Sequence, residues 1–134
     1  MIQRDLVLRW IQTLSALIAR LLRREPGVTV ELAQAYLEDA KSMMLGSLVQ
    51  LLPHLDPSQV ATLLNDPHRI FGYAQLLGLE SALERAAGNP VAADQLARRS
   101  VALGREGLQR IDQKPEEWEE WLAAAEDEPD GVVE

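Results

Sequence analysis

The chain has 134 residues, 47% of them hydrophobic and 25% charged, with no cysteine and a net charge of −8. That length and balance fit one globular domain burying about two thirds of its unfolded surface. The missing cysteines exclude disulfides and thiolate metal sites, and the negative sign gives no general attraction for nucleic acid.

With aromatics at only 4%, the core has to be assembled from Leu, Ala, Ile and Val, which favours helix packed on helix. The charge is uneven. Residues 1–24 carry five Arg against one Asp, whereas residues 112–134 carry ten acids against Lys114.

Residues 2–24 place Val7, Trp10, Ile11, Leu14, Leu17, Ile18, Leu21 and Leu22 three and four apart, the spacing that gathers side chains on one helical face. Arg20, Arg23 and Arg24 oppose the negative end of the helix dipole, and Pro26-Gly27 stops the run. Arg4, Asp5, Arg9 and Arg20 break up any secretory signal or membrane span. A cytoplasmic protein without stable membrane insertion is expected. The basic helix could lie on an anionic membrane, face the acidic carboxyl-terminal segment or simply be solvated; the first suits it least, because the domain needs the apolar stripe for its own core.

Thr29 is placed to cap a second helix running to about Leu45, with Leu32, Tyr36, Met43 and Met44 as its apolar positions. Gly46-Ser47 weakens the run. Residues 48–52 then read equally as a helical turn or a continuation of the same helix. Asp56-Pro57-Ser58-Gln59 has the form of a capping box and predicts a short helix from Pro57 to about Leu64. Asp66-Pro67 repeats the cap and proline and starts a long helix through Ala87. His54 and His68 lie within two residues of Asp56 and Asp66, but both acids are already explained as caps, and no metal-binding histidine spacing is present.

At Gly88-Asn89-Pro90 a left-handed glycine can end one helix, Asn89 can cap the next, and proline is tolerated at its first position. The two arms read as an antiparallel hairpin. In the second arm Ala93, Ala97, Ser100, Gly104 and Gly107 recur at spacings of four, three, four and three. Each glycine inside a helix costs roughly 1 kcal/mol relative to alanine, so the strip calls for a close neighbour, either the preceding helix, the N-terminal helix or an inserted side chain. Pro115-Glu116-Glu117 opens a last, acidic helix in which Trp118, Trp121, Leu122 and Ala125 form one apolar stripe. That stripe must be covered by the domain itself or by a second subunit. From Glu126 the sequence is too polar to pack, giving a domain over 1–125 and an acidic, disordered tail over 126–134.

Segment 67–111 resembles a tetratricopeptide-type helical pair, with Gly88-Asn89 at the turn and Ala93, Ala97, Ser100 and Val101 at the small and apolar positions of the second helix. The opening Ile2-Gln3-Arg4-Asp5-Leu6-Val7-Leu8-Arg9-Trp10-Ile11, followed by this hairpin, is similar to a family of short, uncharacterised bacterial all-helical proteins. These resemblances imply a bacterial cytoplasmic protein with a tetratricopeptide-like hairpin. They bring no catalytic residue and no cofactor.

The expectation is an all-α, compact bundle of about five to seven helices acting as a non-enzymatic, self-associating interaction module. No catalytic, cofactor-binding or metal-ligating residue is assigned, because no nucleophile elbow, phosphate loop or ligand cluster occurs. The expected partner is a protein or peptide, itself included, held between the N-terminal helix and the hairpin. The candidate surface comprises Trp10, Tyr36, Tyr73, Ala93, Ala97, Ser100, Gly104, Gly107, Trp118 and Trp121. The alternative is a small-ligand-binding or enzymatic bundle with a closed pocket near the strip 93–107, lined also by Tyr36, Met43, Met44 or Tyr73.

Overall fold

The structure is a computed structural model and describes residues 4–127. Six α-helices follow one another, α1 (Arg4–Leu22), α2 (Val30–Leu45), α3 (Pro57–Leu64), α4 (Pro67–Ala86), α5 (Pro90–Gln109) and α6 (Glu116–Asp127), and no strand occurs among the described residues. The all-α bundle expected from composition is what forms. Between α2 and α3 the chain tightens into 3-10 turns at Gly46–Gln50 and Leu52–His54. Gly46 takes a positive φ of 59°, which only glycine adopts at little cost, so α2 ends there and does not continue.

Local chemistry sets the other boundaries. Leu32 N donates to Thr29 Oγ1 at 3.1 Å. The Asp56 box is complete, with Gln59 N donating to Asp56 Oδ1 at 3.0 Å and Asp56 N donating back to Gln59 Oε1 at 3.0 Å. His68 N donates to Asp66 Oδ1 at 3.0 Å, so both acids beside the histidines act as caps. The hairpin turn has Gly88 at φ 87°, as its sequence requires. Asn89 departs from expectation: its side chain makes no capping bond to α5, and its Nδ2 instead donates to Glu84 Oε1 at 2.8 Å. The glutamate one turn from the end of α4 outcompetes a neutral N–H for the amide group.

Helix α4 sits at the centre, packed against α5, α1, α2 and α3. Buried residues point from it in all directions, among them Ile70, Phe71, Tyr73, Ala74, Leu76, Leu77 and Leu83, the pattern of a helix enclosed on every side. Leu14 and Ile18 of α1, Leu37 and Met44 of α2, Val60 and Leu64 of α3 and Leu103 of α5 complete this main core.

Three long cationic side chains fasten the irregular 46–54 stretch and α2 to the hairpin. Arg69 Nε donates to Met44 O at 3.2 Å, a carbonyl in the last turn of α2, and Arg99 Nη2 donates at 2.6 Å to Leu52 O, which also accepts from Leu55 N at 3.1 Å. Lys41 Nζ lies 2.9 Å from Glu80 Oε1. Burial alone would pull the Lys41 ammonium down, but Glu80, with smaller help from Glu38 and Tyr73, outweighs it and holds the pKa above the ordinary lysine value. Tyr73, buried beside this group, is pushed up by desolvation.

Helix α6 packs against α5 through a second, smaller cluster of Phe71, Leu108 and Trp118, joined by Ile111, Trp121 and Leu122. The tryptophan stripe is therefore covered by its own chain. The boundary expected at Glu126 moves outward. Ala123, Ala124 and Ala125 are strong helix formers, and Arg105 Nε donates to Glu126 Oε2 at 2.7 Å, so α6 continues through Asp127. The rest of the expected tail, residues 128–134, lies outside the described residues.

Candidate interaction cleft

An open cleft of about 390 Å³ lies between α1 and α6, floored by the α4–α5 hairpin. Ile11 and Ser15, one turn apart, form the α1 wall, and Trp121, Ala124 and Ala125 form the α6 wall. Gly78, Leu79, Ala97, Ser100 and Val101 lie along the floor, with Arg85 at one end. The lining side chains are mostly small, because α5 turns its small-residue strip toward α4 and α6, and they are apolar and polar in about equal measure, with Gln75 of α4 also at the floor.

Three of the polar groups at the floor are engaged. Ser100 Oγ donates to Ala74 O at 2.6 Å, Ser81 Oγ donates to Ala93 O at 2.6 Å, and Arg85 Nη2 donates to Asp94 Oδ1 at 3.0 Å. These bonds pin α5 to α4 and leave the serines' single protons already given to backbone carbonyls. Among the described residues no group of three acids or histidines could hold a metal ion, and no helix is long and apolar enough to cross a membrane.

The two glycines of the strip serve different neighbours, Gly104 the ring of Trp121 and Gly107 the backbone of α4 at Ile70 and Phe71. A Cβ at Gly104 would lie 2.8 Å from Trp121 Cζ3, and one at Gly107 would lie 3.4 Å from Phe71 Cβ. Phe71 stacks on Trp118 with centroids 4.2 Å apart and planes 8° apart, and meets Trp121 edge-on at 5.1 Å. His68 closes the far side with its ring 5.1 Å from Trp118. The close neighbours of the strip are thus α4 and an inserted tryptophan; the N-terminal helix packs on α4 and α2 and faces the strip across the cleft. A closed pocket at the strip is not formed. Trp121 and Phe71 fill the space, and Tyr36, Met43, Met44 and Tyr73 lie elsewhere: Met44 and Tyr73 are in the main core, Tyr36 packs at its edge, and Met43 is 59% exposed.

No family model matches this chain, and no curated protein or solved structure does either. Its geometry is the guide to its function.

Of the residues singled out in the sequence, Ala97, Ser100 and Trp121 meet at the cleft. Gly104 lies under the Trp121 ring, Gly107 lies against the α4 backbone at Phe71, and Trp118 and Ala93 are buried in helix packing. Trp10 packs against the main core. Ile11 and Ser15 were not singled out, although one signal was available: Ser15 is a small polar residue one turn after an apolar one. Ala124 and Ala125 carry no such signal, since alanine is equally at home on a solvated helix.

The helices that form the two walls differ in charge, although their charged residues do not line the cleft. Along the outward side of α1 stand Arg9 and Arg20, three turns apart and both exposed, and along α6 stand Glu116, Glu117, Glu119 and Glu120, all exposed. They do not pair with each other: Arg20 Nε and Arg23 Nη2 hold Glu25 at 3.0 and 2.7 Å, and α6 packs on α5 with the cleft between it and α1. Among the described residues, the reading in which the basic helix pairs with the acidic segment finds no ion pair between α1 and α6.

Proposed function

We propose that the protein is a non-enzymatic helical interaction module that takes up an apolar segment of another polypeptide, a second copy of itself included, in the cleft between α1 and the α4–α5 hairpin. The observation that carries this reading is an open cleft of small side chains on four helices, in which Ile11, Leu79, Val101 and Trp121 offer apolar contact, Gln75 and Ser15 add polar groups, and Ser81, Ser100 and Arg85 are committed to bonds inside the protein. Such a surface rewards burial of apolar groups, at roughly 25 cal/mol per Å² removed from water. A catalyst or a small polar ligand would need convergent, uncommitted polar groups instead. The antiparallel α4–α5 pair beside a concave surface is in keeping with the tetratricopeptide resemblance, in which partner segments lie along stacked helices. A cytoplasmic setting belongs to the same reading.

The test is Ser15→Trp, which adds bulk from an exposed wall position without touching the core. In chemical crosslinking of the full chain at native abundance, the wild type should acquire a polypeptide adduct, with itself or another chain, that Ser15→Trp loses. Absence of any adduct, or an adduct indifferent to Ser15→Trp, would overturn the reading.

A further inference from the structure

The chain between α2 and α3 is held differently from the helices. Residues 46–54 run as two 3-10 turns, whose hydrogen-bond geometry is poorer than that of an α-helix. Leu51 N donates to Leu48 O at 3.0 Å, His54 N to Leu51 O at 3.0 Å and Leu55 N to Leu52 O at 3.1 Å, all inside the stretch. Of its side chains Leu52 is wholly buried, Leu48, Val49 and Leu55 rest half-buried against the main core, and Leu51 is 46% exposed. Arg99 Nη2 of α5 reaches across to Leu52 O at 2.6 Å. We propose that residues 46–55 are a strap that opens as a unit on the folded domain, hinged at Gly46 and latched by Arg99.

A segment with so little buried apolar surface belongs to the low-stability end of a structure, and Arg99 sharpens this. Its guanidinium holds Leu52 O, stands against the Tyr73 side chain, and adds to the Gln59 and Ser58 bonds that keep the Asp56 carboxyl below its ordinary range. Its Nε, however, is buried with no hydrogen-bond partner among the described residues. A charged group's N–H left unpaired disfavours the closed form, and water satisfies it once the strap lifts. Both ends of the strap are prepared for that motion. Gly46 sits at φ 59° and ψ −132°, a conformation open to glycine and suited to a hinge, and Arg69 Nε holds Met44 O just before it, so α2 stays in place. At the other end Leu55 is extended, at φ −103° and ψ 152°, and the Asp56 box fixes the start of α3. Opening withdraws Leu52 from the core and gives water access to Arg99.

Thiol labelling of the full chain tests this. The sequence has no cysteine, so Leu52→Cys supplies a single thiol that reads the strap, and Leu76→Cys, wholly buried in the middle of α4, reads unfolding of the domain. Leu52→Cys should label at least about 100-fold faster than Leu76→Cys, with a shallower urea dependence, because lifting the strap exposes much less surface than unfolding does. Adding Arg99→Ala removes the bond to Leu52 O, the attraction to Asp56 and the packing of the side-chain stem, against one relieved N–H, and should accelerate labelling of Leu52→Cys about tenfold. Adding Trp121→Ala, which loosens α6, should accelerate Leu76→Cys and leave Leu52→Cys unchanged. Equal rates and equal urea dependence at the two positions would mean that the stretch opens only with the whole domain and would overturn the proposal, as would an Arg99→Ala change without effect on Leu52→Cys. A second readout keeps Leu52 in place: in the unmodified chain the amides of Leu51, His54 and Leu55 should exchange with one shared, shallow urea dependence, and a dependence as steep as that of the α4 amides would overturn it equally.

Discussion

Gly104 offers a sharp test of how α6 is held. Gly104→Ala has two opposed effects. Alanine in place of glycine in a helix interior contributes about 1 kcal/mol of stability through backbone entropy. Against this, its Cβ would stand 2.8 Å from Trp121 Cζ3 and 3.4 Å from Leu122 Cδ1, closer than real carbon atoms approach in the first case. The Trp121 ring cannot turn away freely, because Phe71 meets it edge-on at 5.1 Å. Overfilling a packed site of this kind costs about 1–3 kcal/mol, so the net effect should be a loss of about 1 kcal/mol. In a Trp121→Ala background the obstacle is gone and the same substitution should stabilise by up to about 1 kcal/mol. The sign reversal corresponds to a coupling of more than about 1 kcal/mol between the two positions. Urea unfolding followed by far-UV circular dichroism, with the slope unchanged so that midpoints report stability, measures all four corners of the cycle. Gly104→Ala stabilising the wild type as an unobstructed helical glycine would, or equal effects in both backgrounds, would refute the seating of Trp121.

Three further outcomes follow from the structure. Thr29→Ala should cost about 1 kcal/mol, the usual worth of a capping bond, whereas Asn89→Ala should cost far less because its side chain does not cap α5; chemical denaturation of the pair decides it, and equal losses would contradict the assignment. Lys41→Met should destabilise by about 1–3 kcal/mol, below the loss expected for a fully buried pair, because Lys41 and Glu80 keep 13% and 19% side-chain exposure; adding Glu80→Leu should recover most of it, and a double variant as unstable as the single would be inconsistent with an orphaned carboxylate. Acid sensitivity should trace in part to two carboxylates. Asp56 is held below its ordinary 3.8 by the Gln59 backbone and the Ser58 hydroxyl, and Glu25 below 4.5 by Arg23 and Arg20. Groups with lowered folded pKa values contribute stability above their unfolded values and lose it as pH falls through the folded ones. Asp56→Asn, which keeps a good cap, should therefore flatten the acid limb of a stability-versus-pH series; an unchanged limb would count against it.

Much of the fold was legible because local chemistry decided it. The Asp56 box, the Asp66-Pro67 start and the Gly88 turn each need only neighbouring residues, and each stands where the sequence puts it. Asn89 shows where local reasoning stops: the cap position was read correctly, but Glu84, five residues back, takes its side chain. At Glu126, one of the two residues by which α6 runs past the expected boundary, the partner is Arg105, twenty-one residues away. The strip showed that something must approach closely, and spacing alone could not distinguish a helix backbone from an indole ring. The cleft was the least legible element. Its walls come from α1 and α6, the first and last helices, and their apposition depends on how both pack around α4 and α5.

The most direct measurement places a photoreactive amino acid at Ser15 in the full chain and identifies the linked fragment by mass spectrometry. The account predicts a link to a separate polypeptide. Links confined to this chain's own α4, α5 or α6 at every concentration, or none at all, would contradict the claim that the cleft is an interaction surface.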